Sequence, residues 1–296
     1  YVIARSGHTL LNVNQADLGN IEEDYCVALT VGNSNITSSS DSHIIDWVTL
    51  GGSGTTENGS RAPSVGDSSG ISRCSNGSDT NANATDFRYA VKTPGQANDC
   101  TTQHIGNLAA GSVLISEVLY DPSGACSTTA DEFVELINTT SSAVHLEGAT
   151  LRWINGAGTV SLMYTFSADT LAANGRAVLV AANSDCHTSA SLAGVTAFFD
   201  TATWGLTNGG ATVTLLKTDI TLPAQGGCPA GALVPGATGP AFMDYVGWGT
   251  ACVFQGTATT ACSDQPSVRS PATSTTSNNN TDFSCDAANP NGTPGQ

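Results

Sequence analysis

Short apolar runs alternate with clusters of Gly, Asn, Asp and Ser along the whole chain. The clearest runs are SVLISEVLY (112–120), EFVELIN (132–138), RAVLVAA (176–182), ATVTLLK (211–217) and MDYVGWG (243–249). Runs of this length and composition are typical of β-strands, and no segment shows the spacing of an amphipathic helix. Because two sheets can cover each other's apolar faces, the pattern predicts an all-β sandwich fold.

Two parts of the chain share several sequence landmarks in the same order. The opening YVIARSGHTLLN resembles VLVAANSDCHTS from Val178, and IIDWVTLGG (44–52) resembles FMDYVGWGT (242–250). Both copies continue through a polar loop, an arginine (Arg73 or Arg269), an Asn-rich stretch, Thr-Asp-Phe and Thr-Pro-Gly-Gln. This ordered series predicts an internal repeat.

The two copies differ in length at their front. The second copy has 67 residues ahead of Val178 (111–177), including its two strongest strands, which the first copy lacks. We therefore expect residues 1–104 to hold the back half of a first sandwich plus a linker, and 105–296 to hold a complete second sandwich. The chain opens on YVIAR, without an initiator Met or a basic leader, so we expect it to be processed or incomplete.

The chain is strongly acidic. Its formal net charge is −16, and Lys92 and Lys217 are its two lysines. No basic face is available to neutralise phosphates, which argues against a nucleic-acid partner. The acidic surface fits either binding of divalent cations or simple solubility. No run approaches the ~18 apolar residues of a membrane-spanning segment.

The cysteines predict disulfides and an oxidising, extracellular location, because none forms a Cys-x-x-Cys pair. The second copy holds six cysteines, which can pair internally, whereas the region before it holds three. The odd thiol either pairs with the missing front or another chain, or is a free buried cysteine. The nine are Cys26, Cys74, Cys100, Cys126, Cys186, Cys228, Cys252, Cys262 and Cys285.

Seven Asn-x-Ser/Thr sequons fit an exposed, secreted and glycosylated surface. The candidate acceptors are Asn35, Asn58, Asn76, Asn83, Asn138, Asn279 and Asn291.

Several segments of the second copy together resemble the lamin tail domain. They are VLISEVLYDPSG, DEFVELINTTSSAVHLEGATLRW, YTFSADTLAANGRAVLVAA, WGLTNGGATVTLLK, DYVGWG and TPGQ, in that order. The resemblance covers residues 111–296, and its back half recurs across 1–98. It implies two immunoglobulin-like sandwiches in tandem. It also implies binding or assembly roles in filament-forming and cell-surface proteins, or an accessory role beside secreted hydrolases and nucleases; the fold does not decide among them.

No constellation of catalytic residues stands out. The five histidines are scattered, and no Gly-x-Ser-x-Gly motif is present. Glu117, Asp131, Glu132 and Glu135 lie on or beside the first two strong strands. They could act as an acid–base pair, hold a cation or form a solvated face, and the last two are favoured. We expect no enzymatic activity.

The strongest metal candidate is the loop DTNANATD. Asp79, Asn81, Asn83 and Asp86 bring oxygen ligands of the type that calcium prefers. Ala84 and Ala90 replace the turn glycine and the closing glutamate of an EF-hand, so a structural Asn-rich loop is favoured over calcium. The acidic IEED run (21–24) has the same ambiguity.

We therefore predict a secreted, disulfide-supported structural or adhesive protein. Its incomplete first sandwich would be completed by self-association or by another protein chain, and head-to-tail completion would build a filament. The alternatives are an accessory region of a larger secreted hydrolase or nuclease, and a calcium-dependent binding module.

Overall fold

A computed structural model describes most of the chain in two compact units, Tyr1–Asn107 (unit 1) and Leu108–Gln296 (unit 2). The sequence places this boundary at 104/105. The described residues form nineteen strands and two single-turn helices, so the all-β prediction is confirmed. The described residues are 3–5, 15–18, 26–32, 38, 40–50, 56–64, 70–74, 77–188, 192, 196–200, 204–218 and 242–286.

Six short strands of unit 1 pair two by two. The parallel pair β1–β2 and the antiparallel pairs β3–β4 and β5–β6 form three separate two-stranded sheets. The elements are β1 (Ile3–Arg5), β2 (Gln15–Leu18), β3 (Cys26–Thr30), β4 (Ile44–Thr49), β5 (Ile71–Arg73), α1 (Asn83–Asp86), β6 (Phe87–Tyr89), β7 (Gln103–His104) and a 3₁₀ turn (Ile105–Asn107).

Unit 2 contains longer strands and most of the buried side chains. Its strands are β8 (Val113–Leu119), β9 (Phe133–Asn138), β10 (Val144–His145), β11 (Thr150–Asn155), β12 (Val160–Thr165), β13 (Thr170–Leu171), β14 (Arg176–Ala181), β15 (Thr196–Asp200), β16 (Gly210–Leu216), β17 (Phe242–Gly249), β18 (Ser267–Arg269) and β19 (Phe283–Cys285). Two 3₁₀ turns (Gly124–Cys126 and Thr129–Asp131) and the helix α2 (Asn279–Asp282) complete it.

Two sheets of unit 2 form the sandwich. One has the order β15-β14-β9-β8-β18-β19 and the other β12-β11-β16-β17. The five strands predicted most clearly are confirmed as β8, β9, β14, β16 and β17. All residues of β8, β9 and β16 are buried, so both faces of these strands are covered.

The strands of unit 1 correspond in order and direction to the back half of unit 2. β1–β2 is parallel like β14–β15, and β5–β6 is antiparallel like β18–β19. β3–β4 has the register of β16–β17, since Leu29 pairs with Asp46 as Leu215 pairs with Asp244. The central pair β8–β9 has no counterpart among the described residues of unit 1.

Turns separate several of the strands. Gly148 lies before β11 and has a φ of 78°, a conformation that glycine adopts readily. The LTNGG run forms a turn ahead of β16, which pairs with β11 and β17. Thr93–Gln96 forms a turn after β6, whereas the second TPGQ (293–296) lies outside the described residues, as does IEED.

Among the described residues, no helix has the length and apolar character needed to cross a membrane.

Candidate functional site

A buried arginine links the two sheets of unit 2. The Arg269 guanidinium donates to Asp244 Oδ2 at 2.6 Å, and its Nε donates to the Ile115 carbonyl at 2.9 Å. The Ile115 amide donates to the same Asp244 oxygen at 2.8 Å. Asp282 Oδ2 lies 3.6 Å from Arg269, and the Phe283 ring packs against the guanidinium at 4.5 Å. Thus β8, β17, β18 and α2 meet at one charged cluster.

Unit 1 contains the same cluster at the corresponding positions. Arg73 donates to Asp46 at 2.6 Å and to Asp86 at 3.3 Å. The Phe87 ring lies 4.5 Å from the Arg73 guanidinium, the same distance as in unit 2. No strand main chain takes the place of Ile115 here among the described residues, because β5 pairs with β6 alone.

A buried asparagine at the start of each single-turn helix holds the neighbouring strand. In unit 1, Asn83 Nδ2 donates to the Trp47 carbonyl at 2.9 Å and Asn83 Oδ1 accepts the Thr49 amide at 2.7 Å. The helices form because Asp86 and Asp282 accept main-chain amides from the loop before them, at Thr80 and Thr276.

Unit 2 repeats the two strand contacts of the asparagine, and each asparagine has a third partner, which is Glu57 for Asn83 and Gln255 for Asn279. Asn279 Nδ2 donates to the Tyr245 carbonyl at 3.2 Å, and Asn279 Oδ1 accepts the amides of Gly247 and Gln255, each at 3.0 Å. The side chain therefore joins α2 to β17 and to the loop after it.

The two units differ most in what covers their equivalent apolar side chains. Leu29 is 58% exposed, whereas Leu215 at the equivalent register position is 0% exposed. Ile45 is 56% exposed, whereas Met243, which likewise precedes the cluster aspartate, is 2% exposed. In unit 2, β8 lies against Met243, whose Sδ accepts the Val113 amide at 3.4 Å. Ile45 is therefore exposed at the position that β8 covers in unit 2.

Three carboxylates gather beside the cluster of unit 1. Oxygens of Asp46, Glu57 and Asp79 lie within 4.8 Å of one another, the arrangement of a candidate cation site. Burial, and then the negative charges of Asp79 and Asp46, raise the pKa of Glu57. Arg73 already forms ion pairs with Asp46 and Asp79, so a cation would compete with a guanidinium.

The predicted calcium loop has a different geometry from that expected. Asp86 binds Thr80 and Arg73, and Asn83 is turned into the interior of unit 1. Asp79 accepts the Asn81 amide and an Arg73 hydrogen bond. These contacts are those of a structural turn, in which Asp79 and Asp86 share Arg73 as a partner. Calcium binding at this loop stays a prediction.

The acidic residues near β8 and β9 are buried in unit 2, which corrects the expectation of a solvated face. Glu135 binds Ser116 at 2.5 Å and also Arg176. Glu132 Oε2 accepts the Leu206 amide at 3.0 Å, and burial raises the pKa of Glu132 to about 8. These carboxylates stabilise separate loops and strands.

The disulfides pair cysteines within each unit. Cys74–Cys100 lies in unit 1, and Cys126–Cys186 and Cys262–Cys285 lie in unit 2. Cys252 is also disulfide-bonded, and Cys228 lies outside the described residues. Cys26 Sγ lies 3.5 Å from Thr49 Oγ1. Several disulfides in one chain are typical of an oxidising environment.

Three predicted glycan acceptors are corrected by their burial. Asn83, Asn138 and Asn279 are fully buried, and the Nδ2 atom that would carry the sugar donates hydrogen bonds in each case. Asn58 is exposed and stays a prediction. Asn35, Asn76 and Asn291 lie outside the described residues.

Sequence reasoning found Arg73 and Arg269 as repeat landmarks but missed their partners. The Asp-aromatic-Val segment shared by the two units contains these partners, Asp46 and Asp244, and could have indicated them. Asn83 and Asn279 were misassigned because a sequon looks the same on a surface and at a helix start.

Comparison with known families and proteins identifies one region. Residues 107–248, just under half of the chain, match the family model described as Lamin Tail Domain, which supports one lamin tail domain in unit 2. This family has an immunoglobulin-like fold and is often non-catalytic, with binding or structural roles. The comparison with curated proteins gave no match.

Proposed function

We propose that the chain is a non-catalytic structural protein of an extracellular surface, in which the exposed apolar side chains and strand edges of unit 1 bind a neighbouring chain. The strand order carries this proposal. The pairs β1–β2 and β5–β6 match the outer pairs of the six-stranded sheet in unit 2, and the β8–β9 pair that joins them there has no counterpart among the described residues of unit 1.

Exposed apolar side chains favour association. Val27, Leu29, Val31 and Ile45 are the exposed large apolar residues among those described in unit 1. Open strand edges next to apolar surface pair readily with another chain. When each chain binds the next in this way, the contact is head to tail and propagates into a filament. The disulfides and the exposed sequon at Asn58 support an extracellular setting.

A second candidate is an accessory, calcium-dependent binding region of a larger secreted hydrolase or nuclease. The approach of Asp46, Glu57 and Asp79 supports it. It requires calcium to raise the melting temperature of unit 1, whereas binding of a neighbouring chain does not depend on calcium.

Sedimentation velocity of the full chain at increasing concentration, followed by negative-stain microscopy, tests the proposal. We expect concentration-dependent association into elongated species, equally with calcium or with a chelator. A strictly monomeric chain would contradict self-association, and assembly only in calcium would favour the second candidate.

Matched variants locate the contact. Ile45→Asp places a charge on the exposed apolar surface of unit 1 and should abolish association. Leu162→Asp makes the same change at a residue of unit 2 that is similarly exposed and should leave association intact. Equal effects of the two variants would argue against binding through unit 1.

A further inference from the structure

We infer that a pocket on unit 2 is a binding site for a neutral carbohydrate. The pocket is lined by Phe242, Tyr245 and Gln255 and by the loop 271–277 between β18 and α2, and we call it the hydroxyl pocket. Its volume of about 410 Å³ lies within the range of about 300–1,000 Å³ that is typical of small-molecule sites. The inference goes beyond the proposed function, because it depends neither on unit 1 nor on association.

The lining of the hydroxyl pocket combines aromatic, amide and hydroxyl groups. Phe242 and Tyr245 contact each other edge to face, with ring centroids 6.0 Å apart. Gln255 brings a donor and an acceptor, and the loop brings three hydroxyl groups. The residues with hydroxyls are Thr273, Thr275 and Ser277. A sugar ring has C–H faces that pack on aromatic rings and hydroxyls that exchange hydrogen bonds with such groups.

The charge balance of the lining favours a neutral ligand. Asp244 is the one carboxylate among the lining residues, and its Oδ2 accepts hydrogen bonds from Arg269 at 2.6 Å and from the Ile115 amide at 2.8 Å. Arg269 is itself fully buried, so it is not accessible to a ligand. Burial raises the pKa of Tyr245, which keeps its hydroxyl neutral. A charged ligand would lose hydration here without gaining a counter-charge.

The loop that carries the hydroxyls is fixed from behind by the charged cluster of unit 2. Arg269 donates to the Ser274 carbonyl at 2.6 Å. The Ser274 hydroxyl and the Thr276 amide donate to Asp282 Oδ1, at 2.8 Å and 3.0 Å. The residues that alternate with these two are the ones that line the pocket. Because the loop is already ordered, less entropy is lost when a ligand binds.

The corresponding loop of unit 1 forms without these hydroxyls. Arg73 donates to the Ser78 carbonyl at 3.1 Å, and the Thr80 amide donates to Asp86 at 3.0 Å, so the main chain is fixed in the same way. Formation of the loop therefore does not explain the hydroxyls of unit 2. The three corresponding residues of unit 1 are Gly77, Asp79 and Asn81.

Ser277 also has a backbone conformation that does not favour serine. Its φ is 59°, and Asn81 at the corresponding position has a φ of 56°. Asparagine adopts this left-handed region more readily than serine does. Serine is thus the poorer residue for the turn, at a position where its side chain lines the pocket. Backbone strain of this kind is concentrated at ligand sites.

Titration calorimetry of the full chain with four neutral sugars tests the inference. The sugars are glucose, galactose, mannose and N-acetylglucosamine. At least one should bind saturably, with a dissociation constant on the order of 1 mM, as expected for a ligand of about 12 to 15 non-hydrogen atoms. The uronic acid that corresponds to the sugar that binds should bind about tenfold more weakly, because it carries a charge.

Matched variants of the loop locate the site. Thr275→Val removes one lining hydroxyl at nearly constant shape and should weaken sugar binding by about fivefold, the value for loss of one neutral hydrogen bond. Thr276→Val makes the same change at an exposed neighbour outside the lining, and its amide still binds Asp282. It should change binding by less than about twofold.

Amide chemical shifts of the unaltered chain give an independent readout if Thr275→Val fails to fold. The sugar should shift amides of residues 242–245 and 272–278. The inference is overturned by no saturable binding up to about 50 mM sugar, by equal loss of binding in the two variants, or by shifts that leave both segments unchanged. Assembly of a chain that binds no sugar would overturn this inference and leave the proposed function standing.

Discussion

The pKa values of two adjacent acidic residues of unit 2, Asp131 and Glu132, are shifted in opposite directions by their surroundings. Burial raises the pKa of Glu132 to about 8, since one amide, from Leu206, is the hydrogen bond that opposes it. Burial also acts on Asp131, but hydrogen bonds from Thr128, Ser184 and Cys186 hold its pKa below the usual value. The number of donors that the fold brings to each carboxylate therefore decides the sign.

Glu132→Gln should flatten the pH dependence of stability. Since the folded pKa of Glu132 lies above its unfolded value of 4.5, the unfolded state releases the proton first, and the free energy of unfolding should fall by roughly 3 kcal/mol as pH rises from about 5 to 8. Glutamine stays neutral and can still accept the Leu206 amide. Urea unfolding of both proteins across this range measures the effect.

The exposed Asp185 supplies the control for that measurement. Asp185→Asn should leave the slope of stability against pH unchanged, and an equal flattening in both variants would show that Glu132 is not its source.

The two short helices each fasten a neighbouring strand through side-chain hydrogen bonds. α1 and α2 contain four residues each, too few to be stable alone, and each begins with a buried asparagine that binds the neighbouring strand. Their stability comes from these strand contacts and from the ion pair of Asp86 or Asp282 with the cluster arginine.

Asn279→Ala should destabilise unit 2 by about 3 kcal/mol, because it leaves buried main-chain groups of Tyr245, Gly247 and Gln255 without their hydrogen-bond partner. Asn280→Ala changes the exposed neighbour and should alter stability by less than about 0.5 kcal/mol. Thermal unfolding followed by circular dichroism compares them. Similar melting temperatures for the two variants would contradict a stabilising role of the Asn279 hydrogen bonds.

The two units differ in how much core they contain. Among the described residues, the buried apolar side chains of unit 1 are Trp47, Ala62, Ala90 and Ile105, whereas unit 2 has more than forty. Since apolar burial is the main favourable term in folding, unit 1 should be the less stable of the two.

Calorimetry of the full chain should therefore show two transitions, and the first should belong to unit 1. Limited proteolysis below the second transition should remove unit 1 and leave a fragment that begins near residue 108. A single transition, or initial cleavage within β8 to β18, would contradict this order.

Local patterns predicted much of the fold. The strands β8, β9, β14, β16 and β17 were recognisable because apolar runs and the turn residues between them are encoded over a few positions. The sequence landmarks shared by the two units were recognisable for the same reason, since Arg73 and Arg269 stand in similar local contexts.

Local sequence patterns did not predict contacts between residues that are far apart in the chain. The sequence by itself determined the all-β class, the strand segments and the recurrence of Asp46 and Arg73 as Asp244 and Arg269. Only the tertiary structure decided that Ile115 closes the cluster of unit 2, because 129 residues separate it from Asp244 and 154 from Arg269. Burial and hydrogen bonding depend on which strands meet: Ile115 of β8 closes the cluster of unit 2, whereas no strand main chain takes that place in the part of unit 1 that the structure describes.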